Sequence, residues 1–236
     1  FDKSIYKENE QVNIGIGVLD DFGRMVCNAD LKLEITDPYN KKTILETSKG
    51  EIKISSECEF YGVTNLPDYY TNYTTSIKGE YQINLTAITS TGIRSITDKF
   101  IVTNDIDFDV SRSGPTRIYP EANYIMNLTI KPSKNYNGTI KEYVPSVFEI
   151  SQQEGLSIKT IKNIKILTWN KNLIKDKPLN IYYEFDAPDI SPEFYLLGPL
   201  EINSFHELRQ WQIASDKILS TVAMSAPTGA TTVNKG

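Results

Sequence analysis

Histidine occurs once, at His206, and cysteine only twice in 236 residues. With no C-x-x-C pair and no Cys/His cluster, a zinc site of the usual kind lacks its ligands. A glycine-rich phosphate loop, a nucleophile elbow and a zinc-protease motif are absent too, so the common routes to phosphoryl, acyl and metal-assisted transfer have no signature here. No apolar run approaches the roughly 20 residues of a membrane-spanning helix. Lysines are scattered among acids in a chain of net charge −5, which excludes the clustered positive charge that nucleic acid or an anionic membrane surface requires. The chain opens at Phe1 with neither Met nor a signal-type apolar stretch, and reads as a mature or excised product.

What is present is period-two patterning. Val12, Ile14, Ile16 and Val18 alternate with Asn13, Gly15 and Gly17 before the turn Asp20-Asp21-Phe22-Gly23. Leu31, Leu33 and Ile35 alternate up to Asp37-Pro38-Tyr39-Asn40, whose Asp and Pro favour a turn. Further strands are predicted near Thr43 to Glu46, Glu51 to Ser55, Tyr81 to Ile88 and Asp98 to Thr103. The second half repeats the logic at Tyr124 to Ile130, Gly138 to Tyr143, Phe148 to Ile150, Ile164 to Thr168 and Leu179 to Phe185. Helical spacing is nearly absent; Phe205 to Ala214 reads as a last strand with Trp211 and Ile213 inward, or as a short helix. The expected fold is all-β: two tandem immunoglobulin-like antiparallel sandwiches over residues 1–103 and 104–216, with an extended tail over 217–236.

The stretches Tyr6-Lys7-Glu8-Asn9-Glu10-Gln11-Val12-Asn13-Ile14, Asp30 to Pro38, Gly79-Glu80-Tyr81-Gln82-Ile83 and Lys99-Phe100-Ile101-Val102 resemble the macroglobulin-type immunoglobulin-like module of prokaryotic surface proteins. The order of strands from Tyr124 to Phe185, through Val144-Pro145-Ser146-Val147-Phe148 and Ile166-Leu167-Thr168-Trp169, is similar to repeat sandwich domains found in tandem on bacterial and archaeal cell surfaces. Both resemblances imply a spacer or binding module with no catalytic residues to carry over.

Several residues are singled out for sites. Cys27 and Cys58 enclose a segment of the first half and would pair in an oxidising compartment; the alternative is two buried thiols. Asn-X-Thr triplets at Asn72, Asn84, Asn127 and Asn137 are candidate glycosylation sites and point outside the cell. Asp105, Asp107 and Asp109 share one face of an extended backbone: they are either ligands of a structural Ca²⁺ or the wet side of an opening strand. No other cofactor is implied. Tyr69, Tyr70 and Tyr73, in what reads as a long irregular stretch from Tyr61 to Tyr81, are candidates for ligand recognition or for a loop folded over one sandwich end. Trp169 and Trp211 lie in alternating apolar runs and read as core rather than sugar platforms. The pair Asp186 and Asp189 reads as a turn, not as the two separated acids of a glycosidase. In the tail, Thr221, Val222, Ala223, Met224 and Ser225 alternate weakly, so Val222 and Met224 would suit a strand added to an exposed sheet edge of a neighbouring chain. The expected protein is a non-catalytic subunit of a cell-surface filament, pilus or S-layer-like assembly; the alternatives are a carbohydrate-binding or adhesion module, or a domain of a larger surface protein.

Overall fold

The computed structural model describes residues 1–58, 66–119 and 122–215. Among them the helical content is one 3₁₀ turn, Thr47–Lys49, and the rest of the regular structure is strand.

The first half folds into β1 (Ile5–Tyr6), β2 (Gln11–Ile16), β3 (Asp30–Thr36), β4 (Lys42–Glu46), β5 (Lys53–Ile54), β6 (Tyr69–Thr74), β7 (Gly79–Thr89) and β8 (Gly92–Val102). They form a five-stranded sheet ordered β1-β8-β7-β3-β4 and a three-stranded sheet ordered β2-β6-β5. Alternation explains why: on β2 the residues Val12, Ile14 and Ile16 are buried while Gln11, Asn13 and Gly15 face out. The inward sets of the two sheets merge in one apolar cluster that runs in sequence from Tyr6 to Val102. Tyr81 and Phe100 stack inside it at 4.9 Å, on neighbouring strands in direct register.

A second cluster runs from Phe108 to Ile213. It is built by β9 (Phe108–Ser113), β10 (Arg117–Ile118), β11 (Tyr124–Pro132), β12 (Tyr136–Pro145), β13 (Glu149–Ile150), β14 (Leu156–Ile161), β15 (Ile164–Leu173), β16 (Leu179–Asp186), β17 (Glu193–Leu197), β18 (Leu200–Ile202), β19 (Phe205–His206) and β20 (Trp211–Ser215). The sheets are ordered β13-β16-β11-β9, β14-β15-β12-β18-β19 and β10-β20-β17. Trp169 is fully buried here, as its alternating run implies, and each Leu or Ile beside it is worth about 1.5 to 3 kcal/mol of burial.

Three expectations need correction. The stretch around Tyr69 to Tyr73 is strand β6, paired on one edge with β2 and on the other with β5; hydroxyl-bearing Tyr and Thr take the inward positions there, so no apolar alternation marks it. Strand β8 begins at Gly92, not Asp98, because residues of its first half are exposed on both faces and so lack a period. Phe205 to Ala214 is split: Phe205–His206 is the short strand β19, residues 207–210 bend, and β20 carries Trp211 and Ile213 inward.

Gly15 of β2 and Gly17 just beyond it mark where the two halves meet. A Cβ on Gly15 would lie 3.0 Å from Pro67 and 4.0 Å from the Thr116 methyl, and one on Gly17 would lie 3.9 Å from Arg117 Cγ. At these two positions the missing side chains let Thr116 and Arg117 of the second half come close.

Candidate functional site

Charged groups that are remote in sequence meet between and within the two cores. Asp68, just before β6, is completely buried, and so is Arg117 on β10. Arg117 Nη1 donates to Asp68 Oδ1 at 2.5 Å, and the Val18 amide donates to Asp68 Oδ2 at 2.7 Å, so one carboxylate ties a first-half strand end to a second-half strand. Burial pushes the Asp68 carboxyl above its ordinary value, against the pull of Arg117 and the Val18 amide. Arg209 clasps Asp98 of β8 through Nε and Nη2 at 3.0 and 2.8 Å. Lys3 donates to Asp109 Oδ1 at 2.8 Å and also to Glu10. Burial works against the Lys3 charge, but the hydrogen bonds to Asp109 and Glu10 outweigh it and hold the ammonium above its ordinary value.

Deeper in the second core, Arg112 on β9 makes a two-pronged contact with Glu142 of β12, Nη1 to Oε1 at 2.7 Å and Nη2 to Oε2 at 2.8 Å. Its Nε reaches both oxygens of Glu207 at 3.0 Å, and Tyr183 donates to Glu142 at 3.1 Å. Two carboxylates thus share one guanidinium out of reach of water. Desolvation raises the Glu142 carboxyl despite Arg112. Glu207 also accepts from the Leu200 amide at 2.7 Å, and Gly198 leaves room for the cluster, since a Cβ there would sit 2.7 Å from Arg112 Nη2.

The residues singled out in the sequence are placed as follows. Cys27 and Cys58 are bonded, with Cα atoms 5.6 Å apart. The bond closes a segment with a sequence separation of 31, so replacing both by Ser is expected to cost about 3 to 4 kcal/mol on the loop-entropy model, measured by urea denaturation against the reduced and oxidised parent. Asn72, Asn84, Asn127 and Asn137 all stand on strands with their side chains exposed, on β6, β7, β11 and β12.

Asp105, Asp107 and Asp109 are not brought to one centre. Asp109 faces Lys3, with Lys7 at 3.6 Å, and Asp107 faces Lys134 at 2.6 Å, so two of the three are neutralised by lysines on different sides. Among the described residues no group of three or more His, Cys, Asp or Glu side chains could hold a metal ion. The tyrosines separate as well. Tyr69 is core: its hydroxyl accepts from the Ala29 amide and donates to the Val26 carbonyl, both at 2.8 Å. Tyr73 packs edge-on against Tyr81, and only Tyr70 is exposed. Trp211 donates to the Pro115 carbonyl at 2.7 Å and is nearly buried. His206 is exposed, with Nδ1 3.1 Å from Glu201. Val222 and Met224 lie outside the described residues.

Sequence reading missed Asp68, Arg112, Arg117, Glu142 and Glu207. The available signal is charge at inward parity: Glu142 lies between the apolar Ile140 and Val144 in β12, and Arg112 follows Phe108 and Val110 in β9.

Between the outer face of β2 and β6 and the second half lies a cleft of 420 Å³, where Tyr70 and Asn72 border the same space as Phe194 and Gln212. Among the described residues no helix is long and apolar enough to cross a membrane.

Fold and geometry together define an all-β protein of immunoglobulin-like sandwich architecture. No family model matches the chain, and no curated protein matches it. Among solved structures it is similar to the cohesin module of a family 33 glycoside hydrolase from Clostridium perfringens, at 14% identity over 46% of this chain and 96% of that one, with a TM-score of 0.33. It is similar also to alpha-2-macroglobulin of Salmonella, at 11% identity over 91% of this chain, TM-score 0.32, and spans 16% of that protein's length. A tandem pair of titin Ig domains matches at 10% identity over 90% of both chains, TM-score 0.25.

Proposed function

We propose that the chain is a non-catalytic extracellular module, a subunit of a cell-surface filament, pilus or S-layer-like assembly, organised as sandwich units over residues 1–103 and 104–216 with a tail that engages another copy. The observation that supports this most is where the buried charge goes. Asp68 to Arg117, Asp98 to Arg209 and Asp109 to Lys3 each join the first half to the second, so these charges go into holding two cores together and not into a convergent, water-accessible centre. A load-bearing or lattice-forming element needs that kind of internal rigidity. The Cys27–Cys58 bond and four exposed Asn-X-Thr sites favour an oxidising, external compartment.

A second reading rests on the cleft beside Tyr70. Aromatic Tyr70 and Phe194 with the neutral amides of Asn72 and Gln212 make a surface that suits a sugar ring. Two measurements on the purified full chain separate these readings. Negative-stain microscopy is expected to show fibres or sheets as concentration rises, and a glycan array is expected to show no selective binding. Single particles together with selective, Tyr70-dependent glycan binding would reverse the assignment.

A further inference from the structure

One side of the first sandwich is open. Strand β8 is bonded along β7 throughout, but on its other edge it pairs only at Ile101 and Val102, with β1. Among the described residues, the edge from Gly92 to Asp98 is the flank of a sheet with no strand beside it. On the same side, β2 ends the facing sheet, and a slot of 100 Å³ between the two leads from solvent to the inward side chains Ile14, Ile16, Leu33, Ile83 and Leu85. Ile96 points to this slot at the parity of Leu85 and is 54% exposed, while Ile93, on the opposite face and paired with Ile88, is 62% exposed. A sandwich strand is expected to bury one such face, and the first half of β8 buries neither.

We propose that this edge and slot receive residues 217–225 of the tail from a second copy of the chain. The proposal rests on the reading of the protein as a self-associating subunit and names its acceptor. The geometry fits a seven-residue strand, since alternate side chains of an added strand would cover Ile96 on one face and Ile93 on the other. The sequence Lys217-Ile218-Leu219-Ser220-Thr221-Val222-Ala223-Met224-Ser225 carries apolar residues at both parities, as those two exposed isoleucines require. The chain's own course argues for a second copy. Strand β20 passes the slot at Gln212 and runs on to Ser215, which is bonded to Ser191 beside the Gly23 turn. At Ser215 the strand already heads away from the slot, which is why a second copy is the occupant proposed. Repeated from copy to copy without closing, such head-to-tail insertion builds an open polymer.

The test uses the full chain at rising concentration, with hydrogen–deuterium exchange over Gly92 to Asp98 and sedimentation velocity in parallel. Protection of Ile93 to Thr97 is expected to grow with concentration alongside polymer. Ile96→Lys and Val222→Asp are each expected to cut polymer by more than about tenfold at fixed concentration, while Ile161→Lys on the β14 edge leaves it unchanged. The thermal midpoint of Ile96→Lys confirms that it folds, and Val222→Asp leaves the described core untouched. Protection that is equal at every concentration would place the chain's own tail in the slot and overturn the proposal. Polymer with an unprotected edge would overturn the acceptor and leave self-association standing; a chain that stays monomeric with a freely exchanging edge would overturn both.

Discussion

Arg112→Ala will lower the unfolding free energy by about 3 to 5 kcal/mol, read as a fall in the urea midpoint at unchanged slope. The guanidinium is the positive group between Glu142 and Glu207, and its loss leaves two carboxylates buried side by side in the second core. Most of the cost is that of stranding those charges, not the net worth of the ion pairs, because burying all three groups already sacrifices their hydration. Replacing Arg112, Glu142 and Glu207 together by apolar residues of similar size is therefore expected to cost less than Arg112→Ala alone. A triple variant as damaged as the single one would contradict this account.

Glu142 of this cluster and Asp68 of the Arg117 contact set a pH dependence. The Glu142 and Asp68 carboxyls are both raised in the folded state, chiefly by desolvation. A carboxyl whose folded value exceeds its unfolded value contributes stability that is fully present below the unfolded value and is lost as pH rises through the folded one. These two groups therefore make the chain more stable on the acid side of neutrality, and stability falls as pH climbs from the ordinary carboxylate range. Glu142→Gln removes one titration and is expected to flatten that slope above the ordinary carboxylate range; an unchanged slope in denaturation midpoints would assign it elsewhere.

Asp68→Ala is expected to cost about 3 to 5 kcal/mol as well, and its consequence reaches further. It takes one carboxylate partner from buried Arg117 and the acceptor from the Val18 amide, which sit in different halves of the molecule. The halves are then expected to melt at separate temperatures in calorimetry, where the parent melts as one. Asp68→Leu with Arg117→Met restores an uncharged contact, so the pair is expected to recover part of the loss, with a coupling of about 1 to 3 kcal/mol in a double-mutant cycle.

Much of the fold is legible along the chain because strand parity is a local property. Val12, Ile14 and Ile16 face inward as their alternation requires, and so do Leu31, Leu33 and Ile35. Strand β6 escaped because its inward positions are Tyr69 and Thr71, whose hydroxyls are satisfied by Val26 and Glu51 carbonyls far away in sequence. The first half of β8 escaped for the opposite reason: with neither face covered, nothing selects a period.

The site residues were legible only in part. Two cysteines in an otherwise cysteine-free chain have one possible partner each, so their pairing needs little geometry. Asp105, Asp107 and Asp109 share a face as written in the sequence, yet Lys3, Lys7 and Lys134 come from elsewhere to meet two of them. Which cation meets which acid depends on how distant strands are laid beside each other.

From the order of residues alone came the pleated period, the paired sheets it builds and the thiols available to bond, since each depends on neighbours one or two positions apart or on simple scarcity. The tertiary structure decided that Asp68 finds Arg117, that Arg112 is shared by Glu142 and Glu207, and that the flank of β8 is left open. The charge contacts among them reach across 30 to 95 positions of chain, where a charge is tolerated in the interior only if its partner is delivered to it by the packing of other elements.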